Sequence, residues 1–327
     1  MADKILEVRN LVKYFKSGAG TVHAVDNVTF SINRGETLGI VGESGCGKTT
    51  TGRCLLRLIE PTSGEAFFEG QDIFKLNRRE MNKVRKDIQI IFQDPFSSLN
   101  PRRTVYETIA EPLKYHKIIP NATRADIEKR VLELMETVGL AERLINTYPH
   151  ELDGGRRQRI GIARALAVEP KFIVCDEPVS ALDVSIQAQI LNLLKQLQRD
   201  RDLTFIFITH DLAVVNHFSD DIIVMYLGEV VEKAPAAQLF ANPTHPYTKA
   251  LLSAVLIPDA GANLDRIQLR GELSSPLDPA DECRFAARCN YLSEECPTTG
   301  TPPLIEIAPN HFVACHRVGP GRNTLGN

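Results

Sequence analysis

The eight residues from Gly42 to Thr49 constrain the fold most, because they fit the phosphate-binding loop pattern G-x-x-x-x-G-K-S/T. An apolar run, Leu38 to Val41, precedes them and predicts a short buried strand, and Thr49 to Ile59 predicts a helix behind them. In a strand, glycine-rich loop and helix of this kind, backbone N–H groups surround a triphosphate. The sequence therefore predicts a nucleoside triphosphate site within an α/β fold of the P-loop type.

Two side chains of this loop have predicted roles of their own. Lys48 is expected to reach the β- and γ-phosphates, and Thr49 is expected to offer its hydroxyl to Mg²⁺. The alternative is a glycine-rich turn that carries Lys and Thr by accident, but it leaves the flanking strand and helix unexplained. The other residues of the predicted nucleotide site are Gly42, Glu43, Ser44, Gly45, Cys46, Gly47 and Thr50.

Composition excludes several classes of protein. The formal net charge of −3 gives no reason to expect nucleic acid as the main partner. The longest apolar runs, such as Ile222 to Leu227, are far too short to span a membrane. No apolar signal region follows Met1 to Lys4. We therefore expect a cytoplasmic protein that reaches a membrane only through a partner.

Strands that alternate with helices predict a mainly parallel sheet with helices on both faces. In residues 5–35, apolar and polar residues alternate loosely, which predicts an antiparallel sheet beside the parallel one. From Gln93 to Ala167, the apolar residues instead have helical spacing. The composition of the sequence changes again past Pro235, where prolines and polar turns are frequent. The predicted domains are a nucleotide-binding core (1–92 and 168–235) with an antiparallel β subdomain, a helical subdomain (93–167), and a C-terminal segment (236–327).

Two carboxylates and a histidine lie at predicted strand ends. Asp176 closes the apolar strand that begins at Phe172, where a carboxylate can hold Mg²⁺ through its hydration shell. Glu177 comes next and is placed to accept a proton from an attacking water. His210 ends the following strand. By itself a histidine in such a place is more often structural than catalytic.

The order of these motifs resembles the ATP-binding subunit of an ABC transporter over residues 5 to 235. The resemblance rests on the P-loop, Gln93, Leu152 to Gly155, Asp176 with Glu177, Ser180 to Asp183, and His210. It implies that ATP hydrolysis drives a membrane permease, and that two subunits close head to tail with each ATP between one P-loop and the other chain's Leu-Ser-Gly-Gly signature.

The resemblance also assigns roles to single residues. Phe15 matches the aromatic residue that stacks on adenine, and Gln93 matches the residue that contacts Mg²⁺ and water. Asp176 matches the acidic residue of the Mg²⁺ shell, Glu177 the catalytic base, and His210 the residue that senses the γ-phosphate. The signature residues that face the partner's nucleotide are Leu152, Asp153, Gly154 and Gly155.

One residue departs from the family pattern, because Asp153 stands where the signature has serine. The serine hydroxyl donates a hydrogen bond to the γ-phosphate, whereas an ionised Asp has only acceptor oxygens. A carboxylate 4 Å from a phosphate charge costs about 4 kcal/mol at an effective dielectric constant near 20. One interpretation is a heterodimer with two unequal ATP sites. The alternative is that Asp153 is protonated or points away, and both sites work.

A second resemblance, over Leu239 to Leu252, is to the oligopeptide/dipeptide importer ATPases. It implies a second, non-identical ATPase subunit, two transmembrane permease subunits and an extracytoplasmic solute-binding protein, with this chain peripheral at the cytoplasmic face of the membrane. The rival interpretation is a soluble ABC-type ATPase that acts as a mechanical switch in translation or DNA repair. Such proteins usually carry two nucleotide-binding halves or a coiled-coil insertion, and this chain has a single P-loop.

Four cysteines near the C-terminus, Cys283, Cys289, Cys296 and Cys315, are separated by five, six and eighteen residues. Structural zinc usually uses pairs two to four residues apart, and disulfides are unusual in cytoplasmic proteins. Four thiolates with wider gaps suit an iron–sulfur cluster better, and a 4Fe–4S site is known in some peptide-importer ATPases. The sequence thus predicts a 4Fe–4S cluster, with zinc or unligated cysteines as alternatives.

Overall fold

The computed structural model describes residues 3–254, 267–271, 275–294, 296–297, 299–319 and 322–323. The strands there are β1 (Lys4–Ser17), β2 (Gly20–Asn33), β3 (Thr37–Val41), β4 (Ser63–Phe68), β5 (Gln71–Asp72), β6 (Ile88–Ile91), β7 (Phe172–Asp176), β8 (Thr204–Ile208), β9 (Asp221–Tyr226), β10 (Glu229–Pro235), β11 (Ile305–Ala308), β12 (His311–Val313), β13 (Val318–Gly319) and β14 (Arg322–Asn323). The α-helices are α1 (Lys48–Leu55), α2 (Arg78–Val84), α3 (Pro95–Ser98), α4 (Val105–Tyr115), α5 (Arg124–Thr137), α6 (Gly154–Leu166), α7 (Val184–Arg201), α8 (Leu212–Phe218), α9 (Ala236–Ala241) and α10 (Pro246–Ser253).

The chain divides into two compact units. Unit 1 comprises Met1–Ile32, Thr37–Phe74 and Phe207–Asn327, and unit 2 comprises Asn33–Glu36 and Lys75–Ile206. Strand β8 crosses the boundary, since it begins in unit 2 and ends in unit 1.

Unit 1 contains an antiparallel sheet in the order β2-β1-β4-β5. In this sheet β1 pairs with β4, with Val8 opposite Ala66 and Leu6 opposite Phe68. These four side chains are all buried. The alternation seen in the first 35 residues therefore produces the predicted antiparallel sheet with one apolar face.

A second sheet in unit 1 has the order β3-β9-β10-β12-β11, with the end of β8 beside β3. Strands β3 and β9 run parallel, with Ile40 opposite Ile223, and both side chains are fully buried. Strand β10 returns antiparallel to β9 and also pairs with β12. Because β3 is buried on both faces, its carboxyl end delivers the P-loop from a rigid strand.

Unit 2 combines parallel strands with a group of helices. Strands β6 and β7 are parallel, with Ile91 opposite Cys175. Helices α4, α5 and α6 pack on one another. Capping boxes at Thr104 and Thr123 start α4 and α5, since each threonine side chain accepts a hydrogen bond from the backbone three residues on. On α5 the apolar residues with helical spacing form the buried face, as the sequence predicts: Ile127, Val131, Leu134 and Met135.

The C-terminal part of unit 1 shares a core with the strands around the P-loop. Tyr226 at the end of β9, Tyr247 of α10 and Phe285 have ring centroids between 4.8 and 5.6 Å apart. All three side chains are buried in one apolar cluster that also contains Val41. Tyr247 and Phe285, which both lie beyond Pro235, are thus part of the core of unit 1.

A buried polar network also fixes this part of the chain. The carboxylate of Glu232 on β10 accepts hydrogen bonds from the backbone N–H groups of Thr244 (2.8 Å) and His245 (2.9 Å). Its Oε1 also lies 2.7 Å from Nε2 of His311 on β12. Since Glu232 is fully buried, its charge is compensated by these three contacts.

The predicted fold class, an α/β fold with parallel strands and an antiparallel sheet, is confirmed. Helix α1 is shorter than expected and ends at Leu55, because the backbone of Arg57 takes a left-handed conformation with φ of 46°. The division into a core, a helical subdomain and a C-terminal segment stays a prediction. Across the described ranges, no helix has both the length and the apolarity needed to cross a membrane.

Candidate functional site

The P-loop of unit 1 curls between β3 and α1 with a backbone that requires glycine. Gly42, Gly45 and Gly47 have φ of 150°, 80° and 102°. A Cβ atom on Gly42 would lie 2.2 Å from the carbonyl oxygen of Met225, and one on Gly47 would lie 2.1 Å from that of Ala24. Side chains are therefore excluded where the loop meets its neighbours, as expected for a loop that presents backbone N–H groups to an anion.

Lys48 begins α1, and its side chain is buried within the curl of the loop. Its ammonium donates hydrogen bonds to the carbonyl oxygens of Gly42 (2.8 Å) and Glu43 (2.9 Å). The positive charge of Lys48 thus lies inside the loop, next to the N-terminus of α1. This arrangement can attract a polyphosphate.

The other loop residues are less constrained. Ser44 and Gly45 are exposed, and Thr49 and Thr50 are partly exposed. Burial raises the pKa of the Cys46 thiol, so this cysteine stays protonated and unreactive at neutral pH.

In unit 2, Asp176 and Glu177 follow the buried strand β7. Asp176 is the last residue of β7 and is 1% exposed. Glu177 is half-buried and has a left-handed backbone, with φ of 46°. A non-glycine residue in this region is strained, and strain of this kind clusters at functional sites.

Gln93 lies beside Glu177 because β6 and β7 are parallel neighbours. Its Nε2 donates a hydrogen bond of 2.8 Å to Oε2 of Glu177. Gln93 follows β6 by two residues and Glu177 follows β7 by one, so both side chains emerge at the carboxyl edge of this pair of strands. The structure thus brings together two residues that the sequence predicts to act on one nucleotide.

The signature residues form the N-terminus of α6, also in unit 2. Asp153 is the N-cap residue: its Oδ1 accepts a hydrogen bond of 2.8 Å from the N–H of Arg156, and its Oδ2 lies 3.3 Å from the Arg156 guanidinium. Leu152 is buried. Aspartate is a preferred N-cap residue, so Asp153 stabilises the start of α6.

The two glycines after Asp153 are needed for packing. A Cβ on Gly155 would lie 2.7 Å from Cγ2 of Ile186 on α7, and one on Gly154 would lie 3.0 Å from a methyl group of Leu182. Leu182, within the Ser180 to Asp183 motif, therefore packs directly on the start of α6.

Phe15 and His210 belong to unit 1. Phe15 lies on β1 with 39% of its side chain exposed, and the ammonium of Lys13 stands 4.7 Å from the centre of its ring. His210 is exposed after β8, next to Asp211, which caps α8 through the N–H groups of Ala213 and Val214. The roles predicted for these two residues stay predictions.

The C-terminal part of unit 1 adds two contacts to the P-loop that the sequence does not reveal. The N–H of Glu43 donates a hydrogen bond of 2.8 Å to the hydroxyl of Tyr247. The guanidinium of Arg288 holds the Glu43 carboxylate through two hydrogen bonds of 2.7 and 3.1 Å. Tyr247 lies in the stretch that resembles peptide importers, but Arg288 belongs to no motif and is 245 residues from its partner.

The predicted iron–sulfur cluster is wrong. Among the described residues, which include all four cysteines, no three His, Cys, Asp or Glu side chains are grouped to hold a metal ion. The four thiols are free and line one apolar pocket. The zinc alternative fails on the same finding. The residues concerned are Cys283, Cys289, Cys296 and Cys315.

Burial raises the pKa of the Cys283 thiol to about 11, and it raises the pKa values of the Cys289 and Cys315 thiols. Cys283 and Cys289 pack against the apolar cluster that contains Phe285.

Comparison with protein families gives two matches. Residues 25–180 match the ABC transporter family, and residues 231–296 match the C-terminal region of oligopeptide/dipeptide transporters. The oligopeptide transport ATP-binding protein OppF of Salmonella typhimurium is 51% identical over 328 residues, which cover 97% of each chain. AppF of Bacillus subtilis, of the same description, is 50% identical over 324 residues, which cover 96% of this chain and 97% of that protein.

Solved structures give the same result. The ATP-binding cassette MJ0796, a dimer in a post-hydrolysis state bound to ADP and phosphate, superposes with a TM-score of 0.66 at 34% identity. That comparison covers 71% of this chain and 98% of the cassette. CbiO1 of Clostridium perfringens, part of an ABC transporter complex, has a TM-score of 0.64 at 31% identity and covers 73% of this chain and 92% of its own.

Proposed function

Because this chain belongs to the ABC transporter ATP-binding proteins, we propose that its ATP hydrolysis drives the uptake of oligopeptides or dipeptides through a membrane permease. The proposal rests mainly on the match of the C-terminal region to oligopeptide/dipeptide transporters. The same chain also has the P-loop, Gln93, Asp176 and Glu177 of an ABC ATPase. The alternative of a soluble ATPase in translation or DNA repair is not supported, since the relatives described above are transport proteins.

Each motif has a proposed role in hydrolysis. The P-loop and Lys48 bind the phosphates, Phe15 stacks on the adenine, and His210 senses the γ-phosphate. Glu177 accepts a proton from the attacking water, and the hydrogen bond from Gln93 orients its carboxylate.

As the resemblance to ABC ATPases implies, Thr49, Gln93 and Asp176 would hold a magnesium ion through a hydroxyl, an amide oxygen and a carboxylate. The Asp176 carboxylate is buried at the end of a strand. Oxygen ligands of this kind are the ones that Mg²⁺ prefers. When bound, the ion neutralises charge on the β- and γ-phosphate oxygens.

The chain is proposed to act at the cytoplasmic face of the membrane as one of several subunits. Two permease subunits form the transmembrane path, and an extracytoplasmic protein delivers the solute. A second, non-identical ATPase supplies the signature that closes over the P-loop of this chain. No nucleic acid takes part.

Asp153 supports the proposal of two unequal ATP sites. Its carboxylate caps its own helix and pairs with Arg156. An ionised carboxylate has only acceptor oxygens, whereas a serine hydroxyl can donate to a partner-bound γ-phosphate. The site completed by this signature is then expected to hold ATP weakly or to hydrolyse it slowly. Asp153→Ser keeps the N-cap and restores a donor. It should therefore raise the ATPase rate or the ATP affinity of the assembled complex, and an unchanged rate and affinity would contradict the proposal.

The experiment that tests the proposed function starts with mild-detergent purification of the tagged full-length chain from its native membrane. Mass spectrometry should identify two permease chains, a second ATPase and a solute-binding protein. Cells that lack the chain should lose uptake of labelled di- and oligopeptides, and the wild-type chain should restore it. Recovery with ribosomes or DNA-processing proteins, or peptide uptake that is unaffected by the deletion, would overturn the proposal.

A further inference from the structure

Every polar group of Glu43, the second residue of the P-loop, is engaged in the described structure. Its carbonyl oxygen accepts a hydrogen bond from Lys48, its N–H donates to the hydroxyl of Tyr247, and its carboxylate accepts two hydrogen bonds from Arg288. One of these partners belongs to the loop itself. The other two lie more than 200 residues away in sequence.

The contact with Arg288 has the features of a strong ion pair. The two hydrogen bonds form the parallel fork that matches a guanidinium to a carboxylate. The Arg288 side chain is 11% exposed and that of Glu43 is 30% exposed, so water screens the pair only partly. The contact with Glu43 also raises the pKa of Arg288, which keeps the guanidinium charged.

Both partners of Glu43 are held rigidly. Tyr247 is fully buried, and its ring packs edge-on against that of Tyr226. Arg288 ends a short 3-10 turn that follows the buried Phe285, and its guanidinium carbon lies 5.8 Å from the centre of the Tyr226 ring. The position of Glu43 is therefore set by the core, whereas its neighbours Ser44 and Gly45 are exposed.

We propose that Arg288 and Tyr247 are positioning residues for ATP: they fix Glu43 and thereby hold the P-loop and Lys48 in the shape that binds the triphosphate. Glu43 is adjacent to Gly42, and the carbonyl oxygens of these two residues are the ones that receive Lys48. If Glu43 shifts, the ammonium of Lys48 loses the carbonyl acceptors that position it. The C-terminal segment thus takes part in nucleotide binding without touching the nucleotide.

This inference rests on the proposed ATP site in the P-loop, and the experiment separates the two. The full chain is purified with Mg²⁺, and its Kd for ATP is measured by isothermal titration calorimetry. Lys48→Ala should abolish binding if the P-loop is the site. If wild type does not bind ATP, or Lys48→Ala binds it equally well, the proposed site itself is wrong.

The test of the positioning role uses Arg288→Gln, Glu43→Gln and the double variant. Each single change should raise Kd for ATP about tenfold, and the double change should add less than about twofold more, because both remove the same ion pair. Arg288→Lys should give an intermediate Kd, since one ammonium replaces a two-pronged contact. Tyr247→Phe keeps the buried ring but removes the hydroxyl, and it should raise Kd several-fold.

Arg317→Gln is the matched control. Arg317 donates a hydrogen bond of 2.8 Å to the carbonyl oxygen of Tyr291 in the same segment, away from Glu43. The Arg317→Gln variant should have a Kd for ATP within about twofold of wild type, even if its melting temperature falls as much as that of Arg288→Gln. In the assembled transporter, Arg288→Gln should raise KM for ATP with little change in kcat. A wild-type Kd in Arg288→Gln, fully multiplicative effects in the double variant, or an equal loss in Arg317→Gln would overturn the inference.

Discussion

Gln93 and Glu177 are 84 residues apart in the chain, and their side chains meet through a hydrogen bond of 2.8 Å from Nε2 to Oε2. The two parallel strands that precede them bring them to one edge of the sheet. The amide donates to the carboxylate, so the pair orients the proposed base.

We expect Glu177→Gln to lower the ATPase rate of the assembled transporter by about 100-fold or more, which is the usual contribution of a general base. A glutamine keeps the size and polarity of the side chain but cannot take a proton from water. The Kd for ATP should stay within about threefold of wild type. Glu128→Gln, on the exposed face of α5, is the control and should leave the rate unchanged. Normal turnover in Glu177→Gln would remove Glu177 from the role of base.

The P-loop glycines should differ sharply in their tolerance of alanine. At Gly47 a new Cβ would meet the Ala24 carbonyl oxygen at 2.1 Å, and backbone cannot move aside cheaply. At Gly45 the same Cβ would meet nothing within 4 Å. Gly45→Ala should therefore cost only the left-handed penalty, about 1–2 kcal/mol, whereas Gly47→Ala should cost clearly more. Urea unfolding without nucleotide measures the free energy of unfolding of both variants. An equal decrease in the two variants would contradict this prediction.

Helix α6 offers a second pair of glycines with opposite expected effects. Gly155→Ala should destabilise the protein by about 1–3 kcal/mol, because its Cβ would press on the stiff, β-branched side chain of Ile186 at 2.7 Å. Gly161→Ala, further along the helix, meets nothing within 4 Å and should stabilise it by about 0.5–1 kcal/mol. Thermal unfolding compares the stability of the two variants. The double variant Gly155→Ala with Ile186→Ala should recover part of the stability that Gly155→Ala loses. No recovery would mean that Ile186 does not cause the clash.

Burial lowers the pKa of His245 to about 4, although the nearby carboxylate of Glu232 acts in the opposite direction. The ordinary pKa of histidine is about 6.5, so between these two values the unfolded chain binds a proton that the folded protein does not. The neutral histidine therefore stabilises the fold fully above pH 6.5. About 3 kcal/mol of this stability should be lost as the pH falls towards 4.

Unfolding by urea at pH 7.5 and pH 5 measures this effect. His245→Asn is the informative variant, because asparagine can still accept the hydrogen bond that the His245 ring accepts from the N–H of Tyr247 but does not titrate. Its stability should fall less between the two pH values than that of wild type. His150→Asn, at an exposed position, should behave as wild type. An equal pH dependence in all three proteins would show that His245 is not responsible.

The sequence by itself determined the features that depend on neighbours along the chain. The P-loop, the strand before it and the helix after it are predicted from Gly42 to Thr49 because glycine spacing and apolar runs act over a few residues. The helical character of the α5 region follows from periodicity, and the parallel sheet follows from the alternation of strands with helices. The order of these motifs was enough to identify an ABC-type ATPase.

Only the tertiary structure decided which distant side chains meet. The contact of Arg288 with Glu43 spans 245 residues, and no periodicity or motif encodes it. The cysteines make the opposite point, since their number and spacing suggested a cluster, whereas the described residues include no three metal-binding side chains grouped to hold an ion. Spacing records how far apart residues are in the chain. Burial, charge compensation and available volume depend on three-dimensional packing, and these set what Arg288 and the four cysteines can do.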